Sequence, residues 1–163
     1  MIADEIRHIA VVGAGLMGHG IAQEFALAGY EVHLHSRREE SLQTALKNIQ
    51  ANLERLIGMG VVTRVQAEAV PARLHPTPVL AQAVAGADVV IESIYEDATL
   101  KRKLFQALDT LCPAHTILAS NTSTLPLSRF ASGLRSSRYE RWHSARSFDI
   151  SRLRFRWRTV IPG

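Results

Sequence analysis

Cysteine is almost absent from this chain: Cys112 is the single one in 163 residues. That excludes a disulfide framework and a cysteine-based zinc site. Long apolar runs are missing as well. The nearest approach, Ile9 to Gly29, is interrupted by His19, Gln23 and Glu24. It falls short of the ~18 uninterrupted apolar residues of a membrane helix, and no membrane partner is expected. A basic-then-apolar leader is lacking, because Asp4, Glu5, Arg7 and His8 mix both signs near the start. The expected location is cytoplasmic. Aromatic residues are scarce, at 6%, and both tryptophans, Trp142 and Trp157, lie beyond residue 134.

What is present suits a globular domain. The chain is 47% hydrophobic and 21% charged, and long enough for one core without disulfide or metal. Its formal charge of +4 is unevenly spread. Residues 134–163 hold eight arginines against Glu140 and Asp149, a net +6, which leaves residues 1–133 at −2. Arginine interleaved with aromatics is the composition of a nucleic-acid-binding tail. No binding motif accompanies it, so the reading adopted is an atypical terminus without a nucleic-acid partner.

Apolar patterning places strands at His8–Val12, Glu31–His35, Arg73–His75, Asp88–Glu92 and Thr116–Ser120. Between them, helical spacing predicts helices over Leu16–Ala28, Glu39–Ile57, Thr63–Val70, Val79–Val84 and Ala98–Leu111, with one helical turn over Pro126–Phe130. The longest carries Leu42, Leu46, Ile49, Leu53 and Leu56 on one face. Strands alternating with helices predict an α/β, Rossmann-like doubly wound fold with a mostly parallel sheet.

The first strand runs directly into Gly13-Ala14-Gly15-Leu16-Met17-Gly18, a G-x-G-x-x-G that opens a helix. In that context the motif binds a dinucleotide. Gly13 permits the tight turn, Gly15 lets a pyrophosphate approach the backbone, and Gly18 lets helix and strand pack closely. The helix N-terminus, with Leu16 and Met17, then offers free N–H groups and a favourable dipole to the phosphates. An acid normally ends the second strand to hold the ribose 2′-hydroxyl. Here Ser36-Arg37-Arg38 stands in that place. A hydroxyl and two guanidiniums accept a 2′-phosphate, so these residues lean to NADP over NAD. The alternative is that Arg37 and Arg38 are solvated charges and Glu39 or Glu40 serves the ribose.

IAVVGAGLMGHGIAQEFALAGYEV, DVVIESIYED and ILASNTSTL, in this order and spacing, resemble the NAD-binding domain of the 3-hydroxyacyl-CoA dehydrogenase family. The resemblance covers about residues 7 to 135. It implies a dinucleotide-binding domain over 1–135 and an atypical arginine-rich tail over 136–163 in place of the family's last Rossmann strands. It implies NAD as cofactor and an acyl-CoA substrate, with hydride transfer at C3 of a 3-hydroxyacyl-CoA. Glu96 matches the family acid near the cofactor, and Lys101 the lysine near cofactor and acyl-CoA. Ser123 matches the serine that hydrogen-bonds the reacting oxygen. Asn121 matches the asparagine that shapes that turn.

The chain also departs from the family. The family's general acid/base histidine falls on Arg146, and the glutamate that orients it falls on Thr159. Arginine stays protonated and cannot act as that base. His143 could substitute only with a register three residues different. On the long helix, Asn52 and Met59 stand where the family has a Ser and a Lys for the CoA moiety. The family's all-helical second domain, through which it dimerises, has no counterpart in this sequence. Three accounts of the tail remain open: a coding frame displaced between about Ser136 and Arg158, a decayed non-catalytic relative, or a real adaptation in which Leu153–Val160 forms a strand. Composition, tryptophan content and motif all change at one point, which ranks the displaced frame first. The expected activity of this chain alone is weak or nil, with a non-catalytic dinucleotide-binding module, or a dehydrogenase of another 3-hydroxy acid, as alternatives.

Overall fold

The computed structural model describes residues 6–122, together with 125, 126, 129, 130, 134, 143 and 144. Ser123 and most of the arginine-rich tail lie outside the described residues. Along the chain come β1 (His8–Val12), α1 (Leu16–Leu27), β2 (Glu31–His35), α2 (Glu39–Gly58), α3 (Arg64–Glu68), β3 (Leu74–Thr77), α4 (Leu80–Val84), β4 (Val89–Glu92), α5 (Ala98–Leu111), β5 (Ile117–Ser120) and β6 (His143–Ser144). Every strand pair is parallel, and the order across the sheet is β3-β2-β1-β4-β5-β6. This is the doubly wound Rossmann-like arrangement that the alternation predicts.

The unbroken apolar run of β1 is explained by helices on both faces of the sheet. Ile9 and Val11 pack with Phe25, Leu42, Ile49 and Leu53 of α1 and α2. Ala10 and Val12 point the other way, into a layer with Ala83 and Val84 of α4 and Phe105 and Leu108 of α5. Each fully buried aliphatic side chain of this kind stabilises the fold by about 1.5–3 kcal/mol. On α2 the buried stripe is Leu42, Ala45, Ile49 and Leu53. Leu46 and Leu56, expected on the same face, lie half-buried at its margin.

β4 and β5 each start one residue later than expected, and two strands differ by more. β3 starts and ends later than Arg73–His75, because Pro71–Arg73 forms a 3-10 turn and the strand continues through Pro76. Proline donates nothing to a ladder, and β3 is at the sheet edge, where that is tolerated. β6 was not anticipated: Ala119 pairs with His143 and Ser120 with Ser144, inside the stretch read as a tail. Near residue 130, Arg129 N–H donates to the Pro126 carbonyl at 3.0 Å, one turn of the kind expected there. Among the described residues, no helix is long and apolar enough to cross a membrane.

Candidate functional site

The chain leaves β1 toward β2 and β3 on one side, and places β4, β5 and β6 on the other. That reversal opens a crevice at the carboxyl ends of β1 and β4, where open α/β sheets take their ligands. The glycine loop lines it. Gly13 has φ +116°, and a Cβ there would lie 2.2 Å from the Ser93 carbonyl oxygen. A Cβ on Gly18 would lie 1.7 Å from the Gly13 carbonyl oxygen. Internal packing therefore demands glycine at both positions.

Gly15 is different. Its φ of −71° and ψ of −166° are extended backbone open to any residue, and a Cβ there would meet no atom within 4 Å. It caps α1 without a side-chain hydrogen bond, where Ser or Asp would cap better. The first-turn amides, at Leu16 and Met17, which are 83% and 57% exposed, look out over this open space. The space and the donors fit a pyrophosphate. The loop is held from behind. Gly13 N–H donates to the His35 carbonyl and Ser93 N–H to the Val12 carbonyl, both at 2.8 Å. The buried His19 ring reaches the Gly15 carbonyl at 2.8 Å; a carbonyl only accepts, so Nδ1 carries the proton.

Ser36 is the first residue beyond β2. Its Oγ accepts from Arg38 N–H at 3.4 Å, and Arg37 and Arg38 are exposed. Neither guanidinium belongs to an ion pair among the described residues. Glu39 and Glu40 lie in the first turn of α2, with Glu39 accepting from Gln43 at 3.4 Å. Behind Ser36, burial holds the His35 imidazole below the usual histidine range. A hydrogen bond to the Thr77 carbonyl partly offsets this, and the Arg37 charge adds to it.

Across the crevice, β4 and β5 end in a buried polar cluster. Lys101 and Glu92 are both 0% exposed. The Lys101 ammonium donates to Glu92 Oε1 at 2.7 Å and Oε2 at 2.8 Å, and lies 3.1 Å from Glu96 Oε2. Glu92 Oε1 also accepts from Ile94 N–H at 2.7 Å, and its Oε2 from the Ser120 hydroxyl. Thr122 Oγ1 donates to Glu96. Asn121 ties the two strand ends together, its N–H donating to the Glu92 carbonyl at 2.8 Å and its Nδ2 reaching Ser93 Oγ at 3.5 Å.

The structure thus brings Gly13, Gly15, Leu16, Met17, Gly18, Ser36, Arg37, Arg38, Glu96, Lys101 and Asn121 to the carboxyl end of one sheet. Ser123, Arg146 and Thr159 lie outside the described residues. Asn52 is half-buried on α2, and Met59, 56% exposed, caps its C-terminus. Three contributors escaped the sequence reading. Glu92 and Ser120 are 28 residues apart, and nothing local links them. His19 reads only as a polar break in an apolar helix, although a helical residue four places past Gly15 is the natural donor to its carbonyl.

Comparison with known proteins places these features among relatives. The sequence model for "3-hydroxyacyl-CoA dehydrogenase, NAD binding domain" matches residues 8–144. A probable 3-hydroxybutyryl-CoA dehydrogenase of Bacillus subtilis (strain 168) is 42% identical over 127 residues, which span 78% of this chain and 44% of that protein. The mitochondrial hydroxyacyl-coenzyme A dehydrogenase of Rattus norvegicus is 37% identical over 131 residues, 77% of this chain and 42% of that protein. The crystal structure of 3-hydroxybutyryl-CoA dehydrogenase from Escherichia coli K12 superposes with a TM-score of 0.80 at 34% identity, over 86% of this chain and 29% of that one. The chain therefore spans less than half the length of each.

Proposed function

The chain belongs to the family of 3-hydroxyacyl-CoA dehydrogenase NAD-binding domains, and from that membership we propose that it is the cofactor-binding unit of an oxidoreductase acting on a 3-hydroxyacyl-CoA, with a preference for NADP. Gly15 carries the reading. No backbone strain and no neighbouring atom requires glycine there, while an approaching pyrophosphate does. The amides of Leu16 and Met17 and the α1 dipole meet the phosphates. The nicotinamide, when bound, supplies the hydride chemistry at C3 of the substrate. The chain's residues bind and orient. Glu96 and Lys101 serve the crevice beyond β4, and Asn121 shapes the turn after β5. Ser123, by its match to the family serine, hydrogen-bonds the reacting oxygen.

The NADP preference rests on Ser36, Arg37 and Arg38. The two guanidiniums stand exposed at the end of β2, outside any described ion pair, and a 2′-phosphate accepts charge-assisted bonds from both. Titration of the purified chain with NADPH and with NADH, followed by nucleotide fluorescence, tests this. Tighter NADPH binding, by about tenfold for one such bond, is expected. Tighter NADH binding overturns the preference and makes Arg37 and Arg38 solvated charges. Binding of neither overturns the cofactor reading itself.

A second reading, a dinucleotide-binding module without catalysis, is favoured by one feature. Arg146 occupies the place of the family's histidine, and it cannot shuttle a proton.

A further inference from the structure

Three strand ends meet at His35, the last residue of β2. In the sheet it stands between Val12 of β1 and Thr77 of β3. Its carbonyl accepts from Gly13 N–H at 2.8 Å, which ties β2 to the glycine loop. The buried ring reaches the Thr77 carbonyl through Nδ1 at 3.1 Å. A carbonyl only accepts, so Nδ1 carries the proton, and burial favours the neutral ring. That bond stands where the pairing with β3 is poorest. Leu34, one residue earlier, faces Pro76, which has no N–H to give. Thr77 is fixed in turn from its far side. Its Oγ1 donates to Gln82 Oε1 at 2.9 Å and accepts from Val79 N–H at 3.2 Å, just ahead of α4. Three residues lead from His35 to α2: Ser36, Arg37 and Arg38, the last capping α2 without a side-chain hydrogen bond. Arg37 lies near enough to the ring for its charge to oppose protonation there.

We infer that His35 is a positioning residue for nucleotide selection: its Nδ1 bond to Thr77 fixes the end of β2, so that Ser36, Arg37 and Arg38 are presented together to a 2′-phosphate. The inference rests on the NADP preference proposed above. Two ties leave His35, and they serve different parts of the cofactor. The main-chain tie to Gly13 holds the pyrophosphate loop and survives any change of side chain. The side-chain tie holds the link to α2. A link fixed before the ligand arrives spares the cost of ordering it on binding, and that saving falls to the ligand that uses both guanidiniums. NADH, whose ribose lacks the phosphate, makes no such demand. The neutral ring does this without adding a charge of its own beside Arg37.

Two isomeric substitutions test it. In His35→Asn the side-chain amide nitrogen stands at the branch position of Nδ1 and can still donate to the Thr77 carbonyl. In His35→Gln it stands one carbon further out, at the place of Nε2, and the carbonyl loses its donor. Titrations with NADPH and NADH, followed by nucleotide fluorescence, are expected to show His35→Gln weakening NADPH about tenfold, the worth of one charge-assisted bond, with NADH within about twofold of the unmodified chain. His35→Asn is expected to restore most of the NADPH affinity. Equal weakening of both nucleotides in His35→Gln shows a merely structural role and overturns the assignment. Unchanged NADPH affinity in His35→Gln overturns it too, as does a His35→Asn chain no better than His35→Gln. A buried carbonyl without its donor is destabilising, so a second measurement uses the unmodified chain alone. Nitrogen-15 NMR of the histidine rings is expected to show His35 as the Nδ1–H tautomer, shifted by NADPH, which engages the neighbouring Arg37, and little changed by NADH. The Nε2–H tautomer, or equal shifts with both nucleotides, overturns the assignment. An unmodified chain that binds NADH as tightly as NADPH overturns the NADP preference itself, and this assignment falls with it. A chain that prefers NADPH while His35→Gln keeps the same preference leaves the NADP reading standing and removes His35 from it.

Discussion

Three glycines in one loop have two separable reasons to be there, internal packing at Gly13 and Gly18 and open space at Gly15, and substitution separates them. Gly18→Ala places a methyl group 1.7 Å from the Gly13 carbonyl oxygen, a backbone atom that cannot swing aside. Such overpacking costs about 1–3 kcal/mol. For a domain of this size that lowers the thermal midpoint by several degrees, which calorimetry would read. Gly15→Val meets no protein atom at its Cβ and is expected to lower the midpoint by less than Gly18→Ala, since it loses only the N-cap preference of glycine over valine. It abolishes nucleotide binding, because the side chain fills the space of the pyrophosphate. A Gly15→Val chain that still binds NADPH normally removes the observation on which the function rests. At the end of β2, Ser36→Asp places a carboxylate where a 2′-phosphate is proposed. The expected outcome is a reversal of preference toward NADH in paired titrations.

At the scale of elements, β2 carries a pH response. Burial first, then the charges of His75 and His8, hold His33 below the ordinary histidine value, and burial does the same for His35. The folded state thus disfavours their protonated forms. Their contribution is complete above the unfolded pKa of about 6.5 and is lost as pH falls through and below it. Glu31 is depressed, chiefly by its hydrogen bond with His75, and its contribution is lost only in the acid range below about 4.3. Between pH 7 and pH 5 the chain is therefore expected to lose stability through the histidines. Urea midpoints across that range check it, and His33→Gln should flatten the slope. A flat profile in the unmodified chain sinks the account.

Elements are also where the sequence was most and least legible. β1, β4 and β5 announce themselves because a strand covered on both faces must be apolar at nearly every position, whereas β2 does so by alternation, with Val32 and Leu34 set between polar residues. The helices α2 and α5 do so because a single buried face leaves a stripe at helical spacing. β6 is two residues, His143 and Ser144, neither apolar; only its pairing with Ala119 and Ser120 makes it a strand. β3 hides behind Pro76, whose toleration depends on an edge position that no local pattern encodes. The site divides likewise. The Gly13–Gly18 turn is contiguous and was readable, whereas the Glu92–Lys101–Ser120 cluster exists only once two parallel strands lie side by side.

For the whole molecule, the question is whether binding leads to turnover. The described unit supplies a crevice, an open N-terminus of α1 at Gly15 and a carboxylate, Glu96, held by Lys101 and Thr122. A dehydrogenase of this family type also needs a group that exchanges a proton with the 3-oxygen, and such general acid–base catalysis contributes about 10²–10⁴-fold. Arg146 and Thr159 stand at the two positions the resemblance assigns to that task, and neither side chain titrates near neutral pH. The chain is accordingly expected to bind NADPH yet oxidise little or none of it with a 3-oxoacyl-CoA, as followed by loss of nucleotide absorbance. Robust turnover by the purified chain overturns this. Supplying the helical domain of a relative in trans then separates the remaining readings. Turnover that appears on mixing assigns the deficit to an incomplete cleft, with His143 or a residue of the added domain as the proton carrier. Tight binding that persists without turnover assigns it to the residues of this chain, since a completed cleft supplies orientation and excludes water but cannot make a permanent guanidinium exchange a proton.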